Sequence, residues 1–227
     1  MNTQGLIMDG ASTDRALREL RRKILRGELL PGEQLRQERL AEQLHTSRVP
    51  VREALSVLAN EGLLTHRKRQ GYFVTKRSPE ELAQIRLMLG LLEHELTSTI
   101  GWPSASFISQ LRAKNDRMAE LADDEAYLDM VPLNHEFHLQ IFSLSPLNLV
   151  LDEVRRLWTL ADAFIALDYA VPGRRHLTVS QHERIIKALT MRSRAGLLKA
   201  IHDHRASTNA GARASIGFAP DRGRPPH

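Results

Sequence analysis

The sequence predicts a mainly α-helical fold, in which a small N-terminal unit with a β-hairpin precedes an all-α bundle. Three observations indicate this class. Apolar residues recur at helical spacing through most of the 227 residues. Two short β-rich runs, joined by a basic loop that contains glycine, occur within residues 63–75. Beyond residue 78 the sequence shows no convincing strand pattern, so a bundle of about six helices is expected there.

Composition narrows the class of protein. Hydrophobic residues make up 42% of the chain, which can support one or two cores and allows two domains. No apolar run reaches transmembrane length and the N-terminus lacks a signal-peptide pattern, so we expect a cytoplasmic protein with no membrane partner. The absence of cysteine excludes disulfides, thiolate zinc sites and cysteine nucleophiles, which leaves the ten histidines as the main metal-capable residues.

The positive charge lies in the first third of the chain. Residues 12–77 carry 15 Lys and Arg against 8 Asp and Glu, whereas residues 78–227 carry 17 against 18. Such asymmetry is typical of a segment that binds a polyanion, most simply nucleic acid. A basic surface that is only solvated is the alternative, and charge alone leaves it open.

Three helices are predicted in this basic segment. The first spans about residues 13–26, with Thr13 as its cap, and a proline-glycine turn follows it. The second spans about residues 37–44. After the break "HTS" a third helix begins, for which Ser47 can be the cap and in which Pro50 occupies the first turn. Two short helices joined by a tight turn form a helix-turn-helix candidate.

A β-hairpin is predicted directly after the third helix, where the chain reads "LLTHRKRQGYFVTK". Helix, helix-turn-helix and basic hairpin in this order predict a winged-helix DNA-binding domain over residues 12–77, and the order is more specific than any single piece. Lys68 and Arg69 at the wing tip are expected to reach the DNA backbone or minor groove. Gly71 permits the turn and a close approach.

Two arginines one turn apart, Arg48 and Arg52, lie beside the core-facing stripe of the third helix. In a winged helix the N-terminal residues of this helix enter the major groove of double-stranded DNA, where arginine can donate to guanine O6 and N7 or bind a phosphate. Arg36 and Arg39, near the start of the second helix, are predicted phosphate contacts. An isolated surface arginine is usually only solvated, but this pair in this place favours DNA contact.

The stretch "LRQERLAEQLHTSRVPVREALSVLANEGLL", followed by "GYFV", resembles the DNA-binding domain of the GntR family of bacterial transcription regulators. The resemblance covers residues 17–74, and "SRVPVREAL" is close to the family's strongest signature. It implies DNA contacts at Arg48 and Arg52, with Ser47 beside them, and at the wing tip. The chain departs from the family at the wing, where members often carry a second glycine near Gly71 and this sequence has "RQ".

The second predicted domain, residues 78–208, opens with "SPEE", which has the spacing of a capping box. A long helix is expected to begin there. The remaining helices are predicted from Pro103, over about residues 124–142 with a kink or break at Pro132, and over about 147–167, 178–191 and 195–208. The tail, residues 209–227, is rich in Gly, Ala, Pro and Arg and is predicted to be disordered.

Three histidines on separate bundle helices are predicted to point inward. His138 follows Asn134 by four residues, so both lie on one helix face, and His182 and His204 lie on apolar faces. A single inward histidine is usually a hydrogen-bonded core residue. Three together with an oxygen donor fit a divalent metal site, because imidazole suits Zn, Ni, Cu, Fe and Mn. The pattern alone leaves both interpretations open.

The segments "NHEFH", "QHERIIKAL" and "HDH" resemble the FCD domain, the all-helical effector module of the FadR branch of the GntR family. This resemblance implies the metal ligands Asn134, His138, His182 and His204, with zinc as the first choice of divalent transition metal and nickel or manganese as alternatives. His204 matches the family's interval from His182 better than His202 does. The departure is Asn134, where the family has aspartate. The neutral amide should weaken metal binding, or favour a metal that is held partly by the effector.

Many such modules bind small organic acids, so the resemblance implies a small carboxylate effector. Arg86, on the long helix after the capping box, stands where the family often keeps an arginine and could pair with the acid. An interhelical salt bridge is the equal alternative for Arg86.

These features predict a homodimeric, ligand-responsive transcription regulator, expected to act as a repressor on a palindromic operator. The alternative is a metal-dependent enzyme with a DNA-binding appendage. The sequence contains no "HExxH". Glu136 lies two residues before His138 and Glu183 adjoins His182, and at either spacing the carboxylate is turned away from the metal on the helix. Regulation is therefore favoured over catalysis.

Overall fold

The computed structural model describes the backbone of residues 3–215 and the side chains of residues 11–162, 165, 166 and 168–207. The chain forms two compact units. The first contains the residues up to Ile85 together with Arg156–Ala163, and the second contains Arg86–Arg155 and the residues from Phe164 onward. The predicted fold class is confirmed, because helices dominate and the strands form a small antiparallel sheet. The domain limits 12–77 and 78–208 stay predictions.

The first unit is a winged helix-turn-helix. In chain order its elements are α1 (Thr3–Leu25), β1 (Gln34–Leu35), α2 (Gln37–Gln43), α3 (Arg48–Asn60), β2 (Leu64–Arg67) and β3 (Gly71–Val74). The hairpin was predicted, whereas β1 was not, because two residues give no alternating pattern. β3 lies between β1 and β2 and is antiparallel to both. Leu20, Val51, Leu55 and Leu58 are fully buried at the centre of the core.

Two predicted caps in this unit are wrong in detail. Thr13 lies inside α1, which begins at Thr3, so it has no free helix N-terminus to cap. Its hydroxyl instead donates to Glu53 of α3 at 2.8 Å. Ser47 does hold the N-cap position of α3, but its side chain makes no capping hydrogen bond. The hydroxyl of Ser47 is exposed.

The second unit is entirely helical within the residues described. Its elements are α4 (Pro79–Thr99), whose first turns belong to the first unit, α5 (Ala105–Leu121), a 3₁₀ turn (Tyr127–Asp129), α6 (Met130–Phe142), α7 (Asn148–Tyr169), whose middle segment Arg156–Ala163 belongs to the first unit, α8 (Pro172–Thr190) and α9 (Arg194–Ser215). The capping box at the start of α4 is confirmed in both directions. The Ser78 amide donates to the Glu81 carboxylate at 2.7 Å, and the Glu81 amide donates to the Ser78 hydroxyl at 3.2 Å.

Three boundaries in this unit differ from the predictions. Pro132 lies in the first turn of α6, where a missing N–H costs nothing, and the chain before it forms the 3₁₀ turn instead of a kinked helix. α8 begins at Pro172, since proline favours the first turn of a helix. α9 continues to Ser215, so the tail predicted to be disordered overlaps this helix, and residues 216–227 lie outside the described residues.

The packing of α5, α6, α8 and α9 positions the histidines. α8 packs against both α5 and α9, and α6 packs against α5. Leu111, Phe137, Ile185 and Leu197 are fully buried among these helices. Among the described residues, none of the helices combines the length and apolarity that crossing a bilayer requires.

Candidate functional site

The first turns of α3 present two arginines to solvent. Val51, on the buried face, is fully inaccessible, while Arg48 and Arg52 lie on the exposed side of the same turns. The Arg48 guanidinium is 2.9 Å from the Glu38 carboxylate of α2, and both side chains are more than 60% exposed. An exposed pair of this kind contributes roughly 0–1 kcal/mol. A phosphate or a guanine can therefore replace Glu38 at little cost.

The other predicted DNA contacts of the helix-turn-helix are also at the surface. Arg36 occupies the N-cap position of α2, and Arg39 lies in its first turn. Both side chains are exposed, as is Ser47 directly before α3. The structure thus leaves all these groups accessible to a duplex.

The tip of the wing carries exposed Lys68 and Arg69 between β2 and β3. Gly71 has φ +88°, and a Cβ built there would meet nothing within 4 Å, so the backbone conformation, not space, requires glycine. Arg69 also has a positive φ, 65°, in the left-handed region that glycine adopts without strain. This is the place where the sequence departs from the family's second glycine.

The three predicted histidines meet in the core of the second unit. His138 on α6, His182 on α8 and His204 on α9 are all buried. The Nε2 atom of His138 lies 3.1 Å from Nε2 of His182 and 3.1 Å from Nε2 of His204. One ring nitrogen from each histidine falls within 4.8 Å of the other two. Three imidazoles thus direct nitrogen atoms at a common point.

Two buried amides fix which ring nitrogen faces that point. Asn115 of α5 donates through Nδ2 to the Val179 carbonyl at 3.2 Å and to Glu183 at 2.9 Å, so its Oδ1 must face the Nδ1 of His182, 3.2 Å away. His182 Nδ1 therefore donates, and its Nε2 carries the lone pair. Gln181 Oε1 lies 2.9 Å from Nδ1 of His204, so the Nε2 of His204 is the ring nitrogen that faces the common point. Such outer partners orient metal-ligating histidines.

The environment keeps the three histidines neutral. Burial, and secondarily the neighbouring histidines, lower the pKa of His138 well below its usual value. Burial also lowers the pKa of His182 strongly. Burial together with the guanidinium groups of Arg205 and Arg174 lowers the pKa of His204 to about 4. Neutral imidazole is the form that binds a metal.

The residues present fit a transition-metal ion. Asn134 is buried one turn before His138 on α6, and its Oδ1 has no hydrogen-bond partner among the described residues. An orphaned buried oxygen is costly unless something pairs with it, and a cation would. Two nitrogens about 2.05 Å from a tetrahedral zinc ion lie about 3.3 Å apart. The separations of His138 Nε2 from the other two histidines, 3.1 Å each, are close to this value. Nickel and manganese accept the same donors, so the donor set does not identify the metal.

Two buried ion pairs flank the histidines. Arg205, next to His204, pairs with Glu93 of α4, and Arg174 of α8 pairs with Asp168 at 2.8 Å. A Cβ on Gly90 would lie 2.9 Å from the Arg205 guanidinium, so α4 turns its Gly90 and Glu93 face toward Arg205. Arg86 is half-buried and precedes Gly90 by one turn on that face. Its role as an effector contact stays a prediction.

The structure therefore brings together Asn134 and the three histidines and leaves the decoy His202 exposed. Sequence reasoning missed the residues that hold the cluster in place. Gln181 and Arg205 adjoin His182 and His204 along the chain, so proximity could have suggested them. Asn115 is on a distant segment and gave no signal.

Comparison with known proteins decides the family. The family model "bacterial regulatory proteins, gntR family" matches residues 12–74, and the model of the FCD domain matches residues 81–207. The chain belongs to the GntR family and carries an FCD domain. Regulators of this family bind DNA, and FCD domains bind metals and small-molecule effectors. The protein is accordingly a DNA-binding transcription regulator, and the enzyme alternative is not supported.

Individual GntR proteins are similar to this chain over different lengths. The HTH-type transcriptional repressor RspR of Escherichia coli K12 is 26% identical over 194 residues, 82% of each protein. The Nta operon transcriptional regulator of Aminobacter aminovorans is 32% identical over 125 residues, which are 51% of this chain and only 55% of that protein.

Solved structures show the same fold. E. coli McbR/YncC superposes with a TM-score of 0.76 at 20% identity, covering 90% of this chain and 98% of that one. A GntR transcriptional regulator of Rhodococcus sp. RHA1 gives a TM-score of 0.70 at 18% identity, covering 92% and 99%. At these identities the likeness extends to the fold alone.

Proposed function

We propose that this GntR regulator is a cytoplasmic, homodimeric repressor that binds a palindromic operator through Arg48 and Arg52 and responds to a small organic acid bound beside a metal in its FCD domain. One observation carries the DNA-reading part: two guanidinium groups one turn apart stand exposed at the N-terminal turns of α3. A major groove admits such a helix, and arginine donates two hydrogen bonds to guanine. RspR, a relative named as a repressor, supports repression over activation of transcription.

An exposed apolar stretch on α4 supports the homodimer. Leu87 and Leu91 are 63% and 62% exposed and lie one turn apart, with Met88 at 39% beside them. Large apolar side chains that adjoin one another at a surface are typical of an interaction site. A second copy of the chain is the occupant that a palindromic operator requires, because half-site symmetry mirrors protein symmetry.

In the FCD domain, we assign the metal to His138, His182, His204 and Asn134, with zinc as the first choice. The effector carboxylate would occupy a fifth or sixth position of that metal beside its four protein donors, with Arg86 as a second contact. Effector binding can change operator affinity if the acid binds two arrangements of the dimer with different affinity.

The DNA-binding assignment can be tested on an operator selected from random-sequence duplexes with the wild-type protein. Replacing Arg48→Ala and Arg52→Ala together should weaken operator binding by roughly 30-fold or more, since each good bidentate base contact contributes about 1–3 kcal/mol and two are removed. The matched control, Arg117→Ala with Arg184→Ala, removes the same charge from exposed positions of the second unit. Operator affinity of the α3 variant equal to that of the control would refute the assignment.

A further inference from the structure

A valine is exposed in the first turn of α3, between Arg48 and Arg52 along the chain. Val49 is 45% exposed, whereas its apolar neighbours Pro50 and Val51 are buried. Single exposed apolar residues are ordinary at a protein surface, so the exposure of Val49 alone assigns no role to it. Its place beside two arginines at the N-terminal turns of a DNA-binding helix is what needs an explanation.

Val49 lies on the side of α3 that faces away from the core. Successive residues of an α-helix are rotated by about 100°, so Val49 lies opposite the fully buried Val51 and Leu58. Arg52 follows Val49 by three residues and is rotated from it by about 60°, with its Cβ about 5–6 Å away. A groove that brings base edges to Arg52 therefore brings neighbouring base edges to Val49.

The acidic residue on the same outward side of α3 is held by α1. Glu53 follows Val49 by four residues, and its carboxylate accepts a hydrogen bond from the Thr13 hydroxyl at 2.8 Å. This bond directs Glu53 toward α1, and the phosphates of a duplex would repel its charge. Val49 therefore remains as the apolar group that the first turn of α3 presents to DNA alongside the two arginines.

A valine side chain has one kind of partner in the major groove. It can neither donate nor accept a hydrogen bond, and the apolar group that the base edges offer there is the C5 methyl group of thymine. Contact between the two removes apolar surface of both from water. Against the amino group of cytosine, Val49 would instead leave a hydrogen-bond donor without a partner, which is costly. Thymine is thus the base that Val49 favours.

We infer that Val49 is a specificity-determining residue, which reads the C5 methyl group of a thymine beside a guanine bound by arginine. The inference rests on the proposed function, because Val49 reaches a base only if Arg48 and Arg52 do. The separation of about 5–6 Å between the Cβ atoms of Val49 and Arg52 is less than two base-pair steps of about 3.4 Å each. Each operator half-site should therefore hold this thymine within about two base pairs of such a guanine.

The first test removes the methyl group from the DNA. Operator duplexes selected with the wild-type protein are prepared with uracil in place of one thymine at a time, which deletes the C5 methyl group and keeps every hydrogen-bonding group. Replacement of one particular thymine in each half-site should weaken binding roughly 4-fold, since burial of a single methyl group stabilises by about that factor. A selected operator in which no uracil weakens binding would overturn the inference.

The second test removes the methyl groups from the protein. Val49→Ser deletes both of them and should bring the thymine and uracil duplexes to about equal affinity. Val57→Ser makes the same change at an exposed position about two turns further along α3 and should keep the full loss on uracil replacement. Val49→Ala, in which the loss should be smaller than in the wild type, is the second variant if Val49→Ser melts at a much lower temperature. A loss as large in the Val49 variants as in the wild type would contradict the inference.

The outcomes separate the inference from the proposed function. If the double variant Arg48→Ala with Arg52→Ala loses operator selectivity, but the response to uracil does not depend on Val49, methyl reading is overturned and base reading by the arginines stands. A wild-type protein that selects no operator, or a double arginine variant that binds the selected operator as tightly as the wild type, would overturn the arginine assignment and the inference with it.

Discussion

The hydrogen bond between Asn115 and His182 gives a sharp prediction about metal affinity. Asn115 lies on α5 and does not reach the metal position, but its Oδ1 accepts from His182 Nδ1 at 3.2 Å. Asn115→Ala removes this acceptor and both bonds that orient it, to Val179 and Glu183. His182 can then rotate or exchange its tautomer, so Nε2 no longer faces the other two histidines for all of the time.

The expected magnitude follows from the position of Asn115. Loss of an outer-shell partner lowers metal affinity roughly 10- to 100-fold, which corresponds to about 1.4–2.7 kcal/mol. Metal-free protein should also lose stability, because the buried His182 Nδ1–H is left without an acceptor, at a cost of about 1–3 kcal/mol. Metal affinity should fall while the helix content of the protein stays close to that of the wild type, since Asn115 contacts the site through a single hydrogen bond.

Zinc titration against a chelating dye measures the affinity, and long-range ¹H–¹⁵N spectra of the histidine rings report the tautomers. Gln110→Ala, an exposed change on the same helix, is the control. The tautomer of His182 should be mixed in Asn115→Ala and single in the control. A folded Asn115→Ala protein with unchanged zinc affinity and an unchanged tautomer would refute the reasoning.

Three further predictions concern stability, the wing and assembly. Burial lowers the pKa of His138 and His182, and burial and neighbouring cations lower that of His204 to about 4. The unfolded chain therefore takes up protons first, and metal-free protein should lose stability as the pH falls from about 6.5 to 4, by up to about 1.4 kcal/mol per pH unit for each histidine. Urea melts across this range check it, and a flat profile would contradict it. Arg69→Gly should stabilise the first unit by about 1 kcal/mol in thermal melts, since it relieves a positive φ, and should weaken DNA binding in operator titrations. Unchanged operator affinity would show that Arg69 does not contact DNA. Leu87→Glu with Leu91→Glu should convert a dimer into a monomer in light-scattering measurements, and an unchanged mass would remove this face from the interface.

The sequence predicted those parts of the fold that depend on local patterns. The wing and the capping box at Ser78 follow from turn residues and cap spacing, and both are present. The strand β1 and the early start of α1 were missed. β1 is too short to show an alternating apolar pattern, and it exists because its backbone pairs with β3. Thr13 has the residue type of a helix cap, but it lies within a helix that continues on both sides. Whether a short strand finds a partner, and at which residue a helix begins, depend on the rest of the fold.

The candidate site shows the same limit. Helical spacing and family motifs were enough to place His138, His182 and His204 together, because each lies on an apolar face of its helix. Spacing could not reveal that Asn115, on another helix, decides the tautomer of His182. Nor could it show that the buried carboxylate of Glu93 is paired with Arg205.

The most direct test of the central claim is the ratio of two affinities: that for the selected operator and that for unrelated duplex of equal length. If α3 reads bases through Arg48 and Arg52, this ratio should be large for the wild type and should fall toward one when both arginines are replaced by alanine. A double variant that binds DNA with the wild-type ratio would show that sequence is read elsewhere on the protein.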